Sequence, residues 1–298
     1  MSTFITLMGK LWARVPALIQ ALVLGELVVS LGGLPPDLML FGNLKLFPAV
    51  PWALPATCLW LWLLWRYLAG HGWPRSTARS RARDLRGNPL TARIWAWALL
   101  AGGLGMLSVV GVSFLTLKLA DLPPDAYKLP VDLSRYPVWT VASLLLALSL
   151  TAGVVEEAGF RGYMLSRIER RHGWIAGILL TGAVFFLDHH LSHAYATYAF
   201  LPFFMLVSCL HGLLVYHTRS ILPSVLLHAV ADFCVIPFQF GLLGHIDFTS
   251  VWKTGIDAFF IGLCAVTLAA ALAAIPAFRR LATATRAADG PAAAAPSV

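Results

Sequence analysis

The strongest constraint in this chain is the recurrence of apolar runs of about 20 residues along its length of 298 residues. Backbone N–H and C=O groups in hydrocarbon find no water, so a run of this length is stable there as a helix that satisfies its own polar groups. Composition agrees. Only 12% of the residues are charged, against roughly 25% in soluble domains. The expected fold class is an all-α membrane protein, a polytopic bundle of about eight transmembrane helices. Residues 1–278 read as a single transmembrane domain, and residues 279–298, rich in Ala and Pro, read as a disordered cytoplasmic tail.

The spans fall near residues 15–31, 47–68, 94–119, 138–168, 174–190, 198–216, 221–242 and 255–278. Pro35-Pro36 is expected to end the first region, and Pro202 to interrupt the sixth span. Gly102, Gly103, Gly105 and Gly111 would let neighbouring helices approach the third.

The net charge of +8 does not argue for nucleic acid, because the basic residues sit in short loops between spans. Segments on one side of the bundle hold 17 Lys and Arg, and those on the other hold 5. Positive residues favour the cytoplasm, so the reading is a multi-pass cell-membrane protein with both termini cytoplasmic. Cys58, Cys209, Cys234 and Cys264 lie in apolar runs with no CxxC pair, so no disulfide or metal framework is expected from them.

Against this apolar background the polar groups inside spans stand out, because each costs a few kcal/mol at membrane depth. Glu156-Glu157-Ala158-Gly159-Phe160-Arg161 closes the run that begins at Val138. On an α-helix Glu157 and Arg161 share a face and can pair. Glu156 lies about 100° round from Glu157, next to Phe160, without a partner on its own helix. A carboxylate so placed suits general-base work. In the fifth span His189 follows Phe185 by four residues. His190 is adjacent, and the spacing does not choose between the two. His193 reads as a water-facing interfacial residue. In the seventh span His228 and Asp232 are four apart on one face. Glu156 and His189 lie nearly equal distances either side of the Arg167–Gly173 turn, so antiparallel packing brings them level. A turn projecting beyond the bilayer would place them in a shallow cavity open to the cytoplasm.

Three motifs in order, Glu156-Glu157-x-x-x-Arg161, Phe185-x-x-x-His189 and His228-x-x-x-Asp232, resemble the CPBP family of intramembrane proteases. That family includes the type II CAAX prenyl endopeptidases and bacterial relatives linked to bacteriocin self-immunity. The likeness covers residues 138–233, the expected catalytic core. It implies a peptide-bond hydrolase in which Glu156 activates water with His189. His228 and the residue at 232 would stabilise the oxyanion, and Glu157 and Arg161 would orient the site. The last position is often Asn in that family. An ionised Asp232 cannot donate to an oxyanion, so it must be protonated, orient His228, or bind a cation. No cofactor is required by this reading. Zn2+ is the candidate metal, with Glu156, His189 and His228 as its ligands. The implied partners are a membrane-embedded or membrane-associated protein or peptide substrate and the lipid bilayer, with no nucleic acid.

Two other classes use the same residues. A proton- or cation-coupled transporter would spread polar groups along a path through several spans. Here they gather in the fourth, fifth and seventh. A non-catalytic membrane scaffold would not need a full set of candidate catalytic groups.

Overall fold

The computed structural model describes residues 12, 14–122, 131–192, 197–239 and 248–289. Its regular elements are helices, with no strand among the described residues. They are α1 (Ala17–Leu46), α2 (Ala53–Leu68), α3 (Ala78–Leu85), α4 (Ala92–Ala120) and α5 (Val138–Thr151). α5 passes without a break into a π-helical segment, Ala152–Met164, and then α6 (Leu165–Ser192). Two helices, α7 (Leu201–Thr218) and α8 (Leu222–Gln239), follow, and a single-turn helix leads to α9 (Ala258–Asp289). Gly173, at φ 81°, folds α6 back on itself, a conformation glycine adopts without steric cost. The legs of the bundle are therefore α1, α2, α4, the two halves of residues 138–192, α7, α8 and α9. Five helical stretches are long and apolar enough to cross a membrane, and the 55-residue stretch from Val138 is the one that folds into two legs. The all-α polytopic class holds.

α1 does not stop at Pro35-Pro36 but runs on to Leu46. Pro36 has no N–H for the carbonyl of Gly32, four residues back. The Trp60 indole supplies it instead, with Nε1 donating to that carbonyl at 2.8 Å. Pro202 lies in the first turn of α7, where a missing N–H leaves nothing unpaired, so it starts the helix rather than interrupting it. α9 likewise continues past Arg279, so residues 279–289 are helical where a disordered tail is expected. Alanine is the best helix former, and Leu281 and Ala284 bury the inner face of this extension. Residues 290–298 lie outside the described residues.

Gly111 is needed where α9 crosses α4, because a Cβ there would stand 2.1 Å from Thr267 Oγ1. The π segment is confined in the same way. A Cβ on Gly153 would meet the Val225 carbonyl oxygen of α8 at 2.7 Å, and one on Gly159 would meet Val29 Cγ2 of α1 at 2.4 Å. Outside the apolar core, α3 ties the α6 turn down. Asp84, fully buried, accepts from Arg167 and Arg170 at 2.6 and 3.0 Å, and Arg86 pairs with Glu169 at 2.8 Å. Arg81, also buried, donates to the carbonyls of Tyr67 and Pro74. These residues of the basic loop do structural work.

Candidate active site

The polar residues of α5 to α8 converge on the π segment. In an α-helix Glu156 and Glu157 would point about 100° apart. The π segment, with its wider i→i+5 hydrogen bonding, sets them either side of one imidazole. Glu157 Oε1 lies 2.8 Å from His228 Nδ1 and Glu156 Oε2 lies 3.8 Å from His228 Nε2. Glu156, which has no ion-pair partner on its own segment, comes within reach of this imidazole from α8. Asp232 Oδ2, one turn along α8, is 3.6 Å from the same Nε2. A carboxylate oxygen only accepts, so Nδ1 of His228 carries its proton toward Glu157.

Glu157 and Arg161 are both fully buried, with Arg161 Nη1 3.1 Å from Glu157 Oε1. The guanidinium also sits 4.5 Å over the Phe185 ring, a cation–π contact inside the bundle. Sequence reasoning missed His211. It lies on α7, fully buried, with Nδ1 3.8 Å from Glu157 Oε2 and its ring centroid 5.5 Å from that of His228. No local spacing ties it to the other motifs.

Glu156, His189, His211, His228 and Asp232 line one cavity of about 580 Å³. Its remaining walls are mostly apolar and include Leu144, Phe203, Phe204 and Val235. His189 is wedged between the rings of Phe185 and Phe204, at 4.5 and 4.8 Å. Its Nδ1 meets the Phe185 carbonyl at 2.9 Å. That carbonyl accepts, so in the neutral ring Nε2 is the basic nitrogen. His190 instead stacks on Phe186, lies tilted against Tyr198 and is not in the cavity wall. Of the two adjacent histidines, His189 is the one that lines the cavity. His193 lies outside the described residues.

The metal set expected from the sequence, Glu156, His189 and His228, does not form a convergent donor group. Among the described residues the group that does is Glu157, His211 and His228, with donor atoms all within 4.8 Å of one another. Two imidazoles and a carboxylate are donor types that could hold a metal ion. Here, however, Glu157 Oε1 already faces a guanidinium and the Nδ1–H of His228. Glu157 Oε2 and both His211 nitrogens have no hydrogen-bond partner among the described residues, so the group keeps donor atoms that could bind a metal.

A helical membrane bundle with acid, base and imidazole groups in one half-buried cavity has the parts of an enzyme. Residues 137–234, about a third of the chain, match the profile of the family Type II CAAX prenyl endopeptidase Rce1-like, so this stretch is similar to that family. The match supports a CAAX-type intramembrane protease. No curated protein and no solved structure matches the chain.

Proposed function

We propose that the chain is an intramembrane endopeptidase that hydrolyses a peptide bond with water activated by Glu156 and His189. The observation that carries the proposal is the shared cavity. Of the two adjacent glutamates, the one that lines it is Glu156, together with His189, His228 and Asp232. Glu156 takes a proton from the attacking water, and Nε2 of His189 accepts a hydrogen bond from the same water. As the carbonyl carbon becomes tetrahedral, its oxygen gains negative charge. His228, doubly protonated, donates from Nε2 to that oxygen. Glu157 fixes the donor's direction by holding Nδ1, and Arg161 holds Glu157. Asp232 acts by orienting His228. The proton on Glu156 then passes to the leaving amine. The substrate is a membrane-embedded or membrane-associated polypeptide, and the apolar walls suit residues of that character beside the scissile bond.

The test is turnover of purified, folded variants on a membrane-protein or peptide substrate. Glu156→Gln keeps the shape and removes the base, so the rate should fall by roughly 10²–10⁴. His189→Ala and His228→Ala should fall comparably. Each should add little to Glu156→Gln, because groups that act as a unit fail together. A Glu156→Gln enzyme at the wild-type rate would end the assignment.

A further inference from the structure

The face of the bundle between α7 and α9 carries a groove that shares no lining residue with the cavity at Glu156. The two helices run toward the same end. Leu214 of α7 and Leu281 of α9 pack in one cluster with Ile94 and Ala98, at the start of α4. Asn88, just before that start, donates to the Arg219 carbonyl at the end of α7 at 2.6 Å. Arg86, two residues earlier, pairs with Glu169, beside Arg167 and Arg170. The groove therefore ends where the basic loop and the α6 turn lie.

The groove has a volume of about 360 Å³ and is divided along its length. Its inner part is lined by Leu213, Ala274, Ile275 and Phe278, and its outer part by His217 and Arg279. Leu213 and His217 are one turn apart on α7, as are Ile275 and Arg279 on α9. The ring centroids of His217 and Phe278 are 6.1 Å apart, so both walls change from apolar to polar at one level. That level matches the edge of the hydrocarbon. α9 carries no charged residue from Ala258 to Phe278, about 30 Å of helix and the thickness of a bilayer core. Arg279, Arg280 and Arg286 follow. Arg279 and Arg280 are exposed, and among the described residues neither is paired with a carboxylate. The charge of Arg286 reaches His217.

We propose that this groove binds one anionic phospholipid. An acyl chain lies along Leu213, Ile275 and Phe278, and the headgroup phosphate meets Arg279 and His217. The donors suit that group. A guanidinium grips phosphate with two parallel hydrogen bonds, and His217 can donate from a ring nitrogen in either protonation state. Basic pockets between membrane helices are places where anionic headgroups bind. A zwitterionic lipid offers the same phosphate but brings its own cation to a site already rich in arginine. A free phosphate would meet the donors and leave the apolar part unused. The assignment does not depend on the chemistry at Glu156.

Photo-crosslinking tests this on the full-length protein purified in an uncharged detergent. The probes are phosphatidylglycerol and phosphatidylcholine, each with a diazirine in one acyl chain, and the modified peptides are mapped by mass spectrometry. Phosphatidylglycerol should mark the peptides around 213–217 and 274–282 saturably, and phosphatidylcholine should compete poorly. Arg279→Gln, at an exposed position, should weaken the apparent affinity about fivefold, the worth of one cation at the headgroup. Adding His217→Gln should weaken it further. Arg79→Gln, exposed on α3 at the same end but outside the groove, should leave the marks unchanged. Equal marking by the two lipids overturns the proposal. So do marks spread round the bundle with no excess on α7 and α9, or an affinity unmoved by Arg279→Gln. Displacement of the lipid by inorganic phosphate at millimolar concentration also overturns it, since the site then takes the free anion. The readout needs no catalysis, so a failure of the protease reading would leave the marks in place.

Discussion

Glu156 and Glu157 are adjacent in the chain and unlike in surroundings. Glu156 is 20% exposed in the cavity and has no cation on its own segment within ion-pair distance. Glu157 is fully buried and is held by Arg161 from its own segment and His228 from α8. One imidazole joins them. The difference teaches that the site has a reactive wall and a fixed floor. In the proposed mechanism, groups in the wall meet substrate, and groups in the floor keep the wall's donor aimed.

The comparison breaks most visibly at the two glutamates themselves. Glu157→Gln and Arg161→Ala should each cost roughly 3–5 kcal/mol of stability, because either leaves a buried charge without its partner. Thermal unfolding of the purified proteins in detergent measures this. Glu156→Gln should unfold like the wild type despite its lost turnover. Equal melting of all three variants would show that the floor is solvated.

His211 sharpens the boundary between floor and wall, since it touches Glu157 and also lines the cavity. Its ring nitrogens have no hydrogen-bond partner among the described residues. Replacing it by Leu should leave thermal stability close to wild type, because no hydrogen bond is lost. It should lower kcat by about tenfold, or 1.4 kcal/mol, if His211 helps hold Glu157 in place. Unchanged kcat would make His211 a packing residue only.

Smaller effects are expected at the rim. Asp232, 29% exposed and 3.6 Å from His228 Nε2, can be replaced by Asn without losing its contact with the ring. Asp232→Asn should keep turnover within about tenfold of wild type. The smallest effect expected is that of a chelator. Glu157 is committed to Arg161 and His228, so dialysis against chelator should leave the peptidase rate unchanged. Reversible loss, restored by Zn2+, would move Glu157 from the floor to a ligand set.

Legibility in the sequence followed the range of each interaction. Pairs four residues apart, Glu157–Arg161 and His228–Asp232, could be read directly because one helical turn brings them together. The apolar runs revealed the legs of the bundle for an equally local reason. His211 was not legible, since it reaches Glu157 only through the packing of α7 beside the π segment. The π geometry left no period of its own. Its trace is Gly153 and Gly159, whose missing side chains matter only once α8 and α1 are in place. The path of α1 through Pro35-Pro36 depends on an indole from α2, and no reading of α1 alone contains it.

The Asp84 clamp has a consequence for biosynthesis. Asp84 leaves the ribosome about 80 residues before Arg167 and Arg170, the partners that bury it. During that interval the partner for Asp84 on its own segment is Arg83, whose Nε lies 3.4 Å from Oδ1 in the folded protein. The clamp is complete only once Arg167 and Arg170 have been made. The burial of Asp84 is thus coupled to completion of the chain's middle, and a nascent protein truncated before Arg167 would carry the latch without the two arginines of α6.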